Sequence, residues 1–419
     1  MKKLRGSVWV LGIVSFFNDI ASEMLYPVMP TFITQVLGAP VAVLGLIDGV
    51  AEGSAAIFKT IFGNWSDQLG KRKPFIVLGY LTSTASKAFI ALSRTWGLVF
   101  VGRVLDKFGK GVRTGARDAL LLDASDATDR GLVFGVQQGL DSGGAVVGPL
   151  IALALLQAFN NDIRTVLYVA IIPSLIGVLI VSLVHEPTPK VEDLPSLDEH
   201  EKGQEELDRT GASPSPKTVL NLNVRSLPRE LKIFVLANGL FALGNSSDSF
   251  LILRSEQVGL SLSLVIVAYV IYNAVYSLAS PVAGAVADKI GPKRVYVAGV
   301  VIYLLVYLGF ALNTSTLGVW LLFAIYGLYI AQTDSVSRAL VGQYIAGESN
   351  AAGTYGLLQS VISIGLVAAS VIGGILWSAV GSWATFAFAA SCATASLLVF
   401  LLASRNTHTT VRGGPSPSD

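Results

Sequence analysis

The sequence holds few of the residues from which soluble enzymes build metal, disulfide and nucleophile sites. Its 419 residues include one cysteine and three histidines, His185, His200 and His408. The lone Cys392 cannot form a disulfide within the chain or a site with several thiolate ligands. The histidines lie at or beyond the ends of apolar stretches, so no metal cluster or nucleophile–base pair is visible. We therefore expect no metal, no cofactor and no enzymatic activity, and a packing role for Cys392.

Charged residues are scarce as well, at 14% of the chain against 52% hydrophobic residues. This composition leaves too little polar surface to cover a water-soluble protein. Apolar stretches recur along the chain, and each can cross a hydrocarbon core of ~30 Å as a helix of ~20 residues. Residues 295–312 and 382–402 are almost continuously apolar, whereas strands of a membrane β-barrel would alternate over ~10 residues. The sequence therefore predicts an all-α membrane protein in a lipid bilayer.

The apolar stretches predict twelve transmembrane helices. The first is no signal peptide, because Asn18, Asp19 and Glu23 interrupt it and no small-residue cleavage pattern follows. The predicted spans are residues 8–36, 41–65, 74–92, 97–118, 131–158, 164–185, 231–254, 261–287, 294–312, 317–340, 353–379 and 383–403.

Basic residues gather on one side of these predicted helices. Three precede the first span and residues 71–73 follow the second, while the alternate loops hold only Arg94, Arg164 and Arg254 near their edges. Because cytoplasmic loops are enriched in Lys and Arg, both termini should be cytoplasmic, in a bacterial inner membrane. The net charge of +2 follows from this asymmetry and requires no nucleic-acid partner.

A long polar segment divides the spans six and six. Residues 186–229 are rich in proline and acidic side chains and cannot form a core of their own, so we interpret them as a cytoplasmic linker. The predicted units on either side are an N-terminal six-helix bundle at residues 1–185 and a C-terminal six-helix bundle at 230–403. Residues 404–419 are polar and predict a disordered cytoplasmic tail.

One offset relates the two sides of the linker. Residues 221 positions apart match repeatedly, so spans 2–5 repeat as spans 8–11 without a net insertion. Two six-helix halves of one topology would be related by an axis along the membrane normal, with a substrate cavity between them. The matching pairs are Gly63 and Gly284, Asp67 and Asp288, Gly70 and Gly291, Arg72 and Lys293, Lys73 and Arg294, Arg117 and Arg338, Gly135 and Gly356, Gln138 and Gln359, and Gly144 and Gly365.

Residues 63–74, GNWSDQLGKRKP, resemble the signature loop between the second and third helices of the major facilitator superfamily. A weaker copy, residues 284–294, lies at the corresponding place in the second half. Gln68 stands where the family commonly has a basic residue, so we expect part of its charge network to be absent. The resemblance covers nearly the whole chain. It implies two pseudo-symmetric bundles working as a rocker switch, and we expect a monomer.

The two loops are candidates for a conformational gate. Gly63 permits a close approach of helices and Gly70 a tight reversal of the chain. Asp67 can pair with Arg113 or Arg117 at the inner end of span 4, and such contacts would break when the cytoplasmic side opens. Alternatively, the basic residues of the first loop only follow the positive-inside rule. The remaining gate candidates are Arg72, Asp288, Gly291 and Arg294.

Two further stretches resemble motifs of this superfamily. Residues 102–107 resemble its membrane-embedded arginine motif, with Asp106 at a position often held by glutamine. Residues 144–149 resemble the core of a motif found mainly in its antiporters, although Leu150 and Ile151 replace the small residues that usually follow. This resemblance favours an antiporter, while the small-residue spacing also suits plain helix packing. The antiporter-like residues are Gly144, Gly148 and Pro149.

Ionisable residues within the spans are the strongest candidates for function, because each is costly in lipid. A carboxylate shielded from water binds a proton more readily, so one of them can carry a proton in exchange for substrate. Static ion pairs between helices are the alternative for each. Our ordered candidates for the proton carrier are Asp19, Glu52, Asp141, Glu23 and Asp48. The other members of the candidate site are Arg103, as counter-ion, with Asp106, Asp248 and Asp334.

These observations predict a secondary transporter that works by alternating access, with a small molecule or ion as substrate. Proton-coupled efflux antiport fits the buried carboxylates and the antiporter-like motif best. A metal-cation exporter and a metabolite uptake symporter are the alternatives within transport. A membrane sensor without transport activity is the alternative outside it.

Overall fold

A computed structural model describes residues 6–69, 71–123, 125, 130–183, 229–345 and 351–407. The predicted linker, apart from Arg229, and the tail from residue 408 lie outside the described residues. So do Gly70 and, within helices, the side chains of Asp67 and Asp334.

All regular structure in the described part is helical, and we number twelve helices in chain order. Two consist of two segments each, named a and b. The helices are α1 (Gly6–Leu25, continued by Tyr26–Val28, Met29–Thr31 and Phe32–Val36), α2 (Val41–Leu69), α3 (Lys73–Ala91), α4 (Trp96–Asp123), α5 (Arg130–Ala158), α6a (Ile163–Val169) and α6b (Ile171–Val181), α7a (Arg229–Gly244) and α7b (Ser249–Gln257), α8 (Leu262–Ile290), α9 (Pro292–Leu312), α10 (Thr316–Ile345), α11 (Ala351–Ala379) and α12 (Ser382–Thr407).

Ten helices in the described ranges are long and apolar enough to cross a membrane. The other two, α4 and α7, correspond to predicted spans with a visible reason for falling short. Helix α4 carries Arg103, Asp106, Lys107 and Lys110 within its apolar stretch, and these charges reduce its mean hydropathy. Helix α7 is interrupted at residues 245–248. The predicted all-α membrane fold with twelve spans is confirmed, whereas the interruption of α7 and the division of α6 at Ala170 were not foreseen.

The repeat seen in the sequence is present in the helix boundaries. Helices α2 and α8 begin and end 221 positions apart, and so do α5 and α11. The packing repeats too: α2 contacts α4 as α8 contacts α10, and α1 contacts α5 as α7 contacts α11. Between α8 and α9, Gly291 has a φ of 93°, a conformation that glycine adopts without steric cost. The tight reversal predicted for Gly70 is thus observed at its partner in the repeat.

The halves meet along α2 against α11 and α5 against α8. Glycines bring the first pair together, because a Cβ at Gly45 would lie 2.2 Å from the Ser370 carbonyl oxygen and one at Gly49 would lie 2.9 Å from the Val367 carbonyl oxygen. On the other side of this contact, a Cβ at Gly374 would approach the Val41 carbonyl oxygen to 2.9 Å. Small residues at helical spacing permit this backbone approach in a membrane.

Candidate functional site

A cavity of about 500 Å³ lies between the halves and is the central feature of the structure. We call it the central cavity. The N-terminal half contributes Tyr26, Glu52 and Arg103, and the C-terminal half supplies most of the wall. A volume of this size suits a small organic molecule, since such sites span roughly 300–1,000 Å³.

The wall of the central cavity extends toward one end of the bundle. We call the end where α1 begins the proximal end and the opposite end distal. Wall residues such as Tyr296 near the start of α9 and Ser337 near the end of α10 reach toward the proximal end. Among the described residues, the hydrogen bonds between the halves lie instead at mid-depth and on the distal side of the central cavity.

At the distal end, Glu256 of α7b holds the halves together. Its carboxylate accepts hydrogen bonds from the Thr31 hydroxyl at 2.8 Å and from the Gln35 amide at 3.0 Å. The backbone N–H of Ala42 also donates across the boundary, to the Ser378 hydroxyl at 3.0 Å. These contacts would have to break for the distal side to open.

At mid-depth, Asp48 is the main polar contact between the halves. It is 2% exposed, and its carboxylate pairs with the Arg103 guanidinium at 3.0 Å. The same carboxylate accepts hydrogen bonds from the Ser247 and Ser249 hydroxyls of the C-terminal half at 2.7 and 2.6 Å. Arg103, which the sequence predicted as a counter-ion, thus pairs with the carboxylate of Asp48.

The interruption of α7 supplies those serine hydroxyls. Two backbone groups at the interruption bond to side chains instead. The Tyr303 hydroxyl donates to the Gly244 carbonyl at 2.8 Å, and the Ser247 N–H donates to the Ser370 hydroxyl at 3.2 Å. Gly244 is needed here because a Cβ would lie 2.7 Å from the Cys392 Cβ. Irregular backbone at this depth is tolerated only where protein or a cavity surrounds it.

The N-terminal half pairs most of its interior charges. Lys107 bonds to Glu52, and Lys87, which is 1% exposed, pairs with Asp106 at 3.3 Å. Asp106 also accepts a hydrogen bond from the Ser83 hydroxyl at 2.7 Å. These pairs join α2, α3 and α4, so three predicted carboxylates, Asp48 included, have cation partners within one half.

Arg117 and Asp141 form a further pair, between α4 and α5. Their closest atoms are 3.5 Å apart, and the Gln137 amide donates to the same carboxylate at 2.9 Å. Arg117 also pairs with its neighbour Asp118 at 3.0 Å. Asp141, a predicted proton carrier, therefore has a cation beside it.

Asp19 and Glu23 of α1 differ from the other carboxylates. Asp19 is half-buried and has neither an ion pair nor a hydrogen bond with any residue that the structure describes. Glu23 accepts a hydrogen bond from the Tyr269 hydroxyl of the C-terminal half at 3.0 Å. The antiporter-like motif lies directly behind them, since a Cβ at Gly144 would be 2.9 Å from the Asp19 Cβ and one at Gly148 equally close to the Glu23 Cβ.

Pro149 follows within α5, is buried and removes a backbone N–H from that helix.

In the C-terminal half, Asp248 is surrounded by tyrosines. Its carboxylate accepts hydrogen bonds from the Tyr326 hydroxyl at 2.6 Å and the Tyr272 hydroxyl at 3.4 Å. No cation of the described chain lies within ion-pairing distance of it. Sequence reasoning had chosen Asp248 but missed Tyr326, although α10 carries Tyr326 and Tyr329 one turn apart on a single face.

The gate candidates are only partly visible. Gly63 packs closely on α4, where a Cβ at Gly115 would be 3.1 Å from the Gly63 Cα. Arg72 pairs with Asp123 at 3.8 Å. Asp288 and Arg294 are exposed and join no ion pair among the described residues. Arg113 donates to the Ser83 hydroxyl at 2.9 Å, and its possible pairing with Asp67, like the role of Asp334, stays a prediction.

Comparison with known proteins identifies the family. The model of the Major Facilitator Superfamily matches residues 11–253 and again residues 234–418. The chain belongs to this superfamily. An uncharacterized MFS-type transporter of Methanocaldococcus jannaschii is 31% identical over 409 residues, which is 96% of this chain and 95% of that protein.

Two further relatives extend the comparison. The inner membrane transport protein YajR of Escherichia coli is 33% identical over 155 residues, 35% of this chain and 33% of that protein. A bacterial homologue of the human lysosomal transporter Spinster, solved in an inward-facing and occupied conformation, superposes with a TM-score of 0.73 at 17% identity, covering 98% of each chain. This superfamily member is therefore a multi-pass transporter with two six-helix bundles and not an enzyme, and it moves a small-molecule substrate by alternating access.

Proposed function

We propose that this superfamily member exports a small molecule across the inner membrane in exchange for protons. The observation that carries this is the contrast among its interior carboxylates. Asp48, Glu52, Asp106 and Asp141 each have a cation partner, whereas Asp19 has none in the described chain. A carboxylate at membrane depth without a counter-ion is stabilised by binding a proton. We therefore retain Asp19 as the first candidate for the proton carrier.

Glu23 supports the same proposal from one turn farther along α1. Two carboxylates on one helix face repel each other when both are ionised, which favours a proton on one of them. Gly144 and Gly148 bring α5 against the backbone of α1 at both positions. A shift of α5 during the transport cycle would therefore change the surroundings of both carboxylates.

The orientation of the chain is part of the proposal. The proximal end carries the basic residues that follow α2 and α8, and cytoplasmic loops are enriched in such residues. We assign the proximal end to the cytoplasm, so both termini are cytoplasmic. The loops at residues 63–74 and 284–294 connect helices at the proximal end, where a gate that closes in the outward-facing state is expected.

Reconstituted liposomes test proton coupling once a ligand-induced thermal-shift screen of metals, antibiotics and metabolites has supplied a substrate. We expect Asp19→Asn to abolish transport driven by a pH gradient and to leave substrate-for-substrate exchange largely intact. Exchange needs alternating access but no net proton movement. The matched control is Glu52→Gln, which also removes one carboxylate but leaves Lys107 unpaired, so it should lower both modes together.

Retention of pH-driven flux by Asp19→Asn and by Glu23→Gln would overturn the assignment of the carrier to α1. Indifference of the wild type to the proton gradient would overturn antiport itself. If the substrate instead accumulates on the side toward which protons flow, the protein would be an uptake symporter.

A further inference from the structure

We propose that the central cavity binds an organic cation with an aromatic or bulky apolar body, and that Asp248 is its counter-ion. This inference rests on the proposed transport function, because it names the class of substrate for the same cavity. It assigns substrate recognition to Asp248 of the C-terminal half, whereas the candidate proton carriers are carboxylates of α1 in the N-terminal half.

The charge balance of the cavity wall is the first argument. Of the charged residues in the wall, Arg103 pairs with Asp48 and Glu52 pairs with Lys107. Asp248 is left as a wall carboxylate bonded only to hydroxyl groups in the described chain. A carboxylate can accept about four hydrogen bonds, so Asp248 retains acceptor capacity after those two. A positively charged ligand would supply the cation partner that Asp248 lacks among the described residues.

The aromatic wall is the second argument. Tyr26, Phe241, Tyr326 and Tyr329 all line the cavity. Ring centroids of Tyr326 and Tyr329 are 5.3 Å apart, and those of Phe241 and Tyr329 are 6.1 Å apart. Aromatic faces attract cations through the ring quadrupole, and cages of such rings recognise quaternary ammonium groups. The same faces stack on an aromatic body.

The donor set argues against a metal ion as the occupant of this cavity. Metal sites for hard cations collect several carboxylate or carbonyl oxygens, and no group of three His, Cys, Asp or Glu side chains suited to a metal occurs among the described residues. A single wall carboxylate without a cation partner among the described residues, within aromatic walls, matches a large, weakly hydrated cation instead. The volume of about 500 Å³ admits a molecule of that kind.

Binding to the purified full-length protein tests the proposal without any gradient. The probes are benzyltrimethylammonium and neopentylbenzene, which have the same shape and differ by one positive charge, with tetraphenylphosphonium as a larger cation. Isothermal titration calorimetry and thermal shift should detect both cations and at least tenfold weaker binding of the neutral probe. We expect Asp248→Asn to weaken both cations tenfold or more and to leave the neutral probe unchanged.

A second pair of variants separates the ring from the hydroxyl. Tyr329→Phe keeps the aromatic face and should bind the cations within about twofold of the wild type. Tyr329→Leu should weaken them several-fold, and Tyr26→Leu serves the same purpose if that variant does not fold. Asp162→Asn, which removes a carboxylate from a surface loop, is the matched control and should bind like the wild type.

Equal affinity for the charged and neutral probes, or cation binding unaffected by Asp248→Asn, would overturn the proposal. These outcomes are independent of proton coupling. Cation binding at Asp248 in a protein whose flux ignores a pH gradient would overturn antiport and leave this site intact. Proton-coupled transport of a neutral or anionic substrate, with no cation bound, would overturn this site and leave antiport intact.

Discussion

The two halves share one backbone plan but have different interiors. Positions 221 residues apart occupy corresponding places, yet Asp48 corresponds to Tyr269, Arg103 to Ala324 and Lys107 to Leu328. The N-terminal half is held by ion pairs among α2, α3 and α4. The C-terminal half instead packs tyrosine rings, with Tyr303 and Tyr307 stacked at 4.0 Å between centroids. The shared glycines and apolar residues therefore carry the fold, and the residues that differ carry the chemistry.

This difference suggests a division of work between the halves. Charged pairs confined to one bundle can rearrange when a proton binds, because each buried charge responds strongly to its neighbours at low dielectric. Aromatic walls keep their attraction for a large ligand whether or not a proton is bound. The halves meet at Asp48, where an ion pair of one bundle accepts hydrogen bonds from serines of the other.

The largest expected effect comes from making the N-terminal interior more like the C-terminal one. Arg103→Met removes the cation paired with Asp48 and leaves a carboxylate buried without a counter-ion. Breaking one partner of a buried pair costs about 3–5 kcal/mol. We expect a clear loss of folded yield and melting temperature by fluorescence-detected size exclusion.

The control for this change is the double variant Arg103→Met with Asp48→Leu. It removes both charges, so it should recover most of the yield while transport stays low, since the contact with Ser247 and Ser249 is gone. A double variant as unstable as the single one would show that the pair is not the cause.

An intermediate effect is expected where the helix contacts differ by one methyl group. Gly148 corresponds to Ala369 in the repeat. In Gly148→Ala the new Cβ would lie 2.6 Å from the Ile20 carbonyl oxygen, so α1 and α5 must move apart at a cost of about 1–3 kcal/mol. We expect a lower melting temperature and slower proton-coupled flux, because Glu23 moves with α1.

The reciprocal change, Ala369→Gly, removes a methyl group from the C-terminal half. It should cost about 1 kcal/mol through helix propensity and leave the rate of proton-coupled flux near that of the wild type. Equal effects of the two variants on flux would contradict the special position of Gly148 beside Glu23.

The smallest effect is expected at the distal surface. Asp162 caps α6a through the backbone N–H groups of Arg164 and Thr165, whereas Ser261 begins α8 without such a bond. Asp162→Ala should lower stability by about 1 kcal/mol, and Asp162→Asn much less, because asparagine also caps helices.

Low pH should remove part of the stability that the Asp162 cap contributes. The hydrogen bond from the Thr165 hydroxyl lowers the pKa of Asp162, so its stabilisation is present above the ordinary aspartate pKa of about 3.9 and is lost as pH falls below it. Melting temperatures of the wild type and Asp162→Asn should therefore converge in acid. A difference that is constant with pH would contradict this.

Much of the fold could be predicted because it follows from one-dimensional patterns. The length of each apolar stretch indicates a span, and matching residues such as Asp67 and Asp288 reveal the repeat at 221 positions. The interruption of α7 has a sequence signal that was not used, namely the polar run Asn245–Asp248 after Gly244. Such a run has little helix propensity, yet the predicted span of residues 231–254 continues through it.

The candidate site was predictable as a set of residues but not as a set of pairs. Spacing along one helix indicates that Asp48 and Glu52 share a face. It gives no information about which cation each meets, because that depends on the rotation and tilt of α4 against α2. The absence of a cation partner for Asp19 among the described residues, and the tyrosines around Asp248, arise from packing between helices distant in sequence.

The distal contact between Gln35 and Glu256 has a consequence for how such a protein can arise. Each residue lies six positions before the first residue of α2 or α8, so the two are counterparts separated by 221 positions. Counterparts that touch lie on the pseudo-twofold axis. In a homodimer of a single half, each would face an identical copy of itself, and two ionised glutamates would repel. A fused duplicate can place an amide donor opposite a carboxylate acceptor, which no symmetric ancestor could do, so this contact depends on the divergence of the two halves.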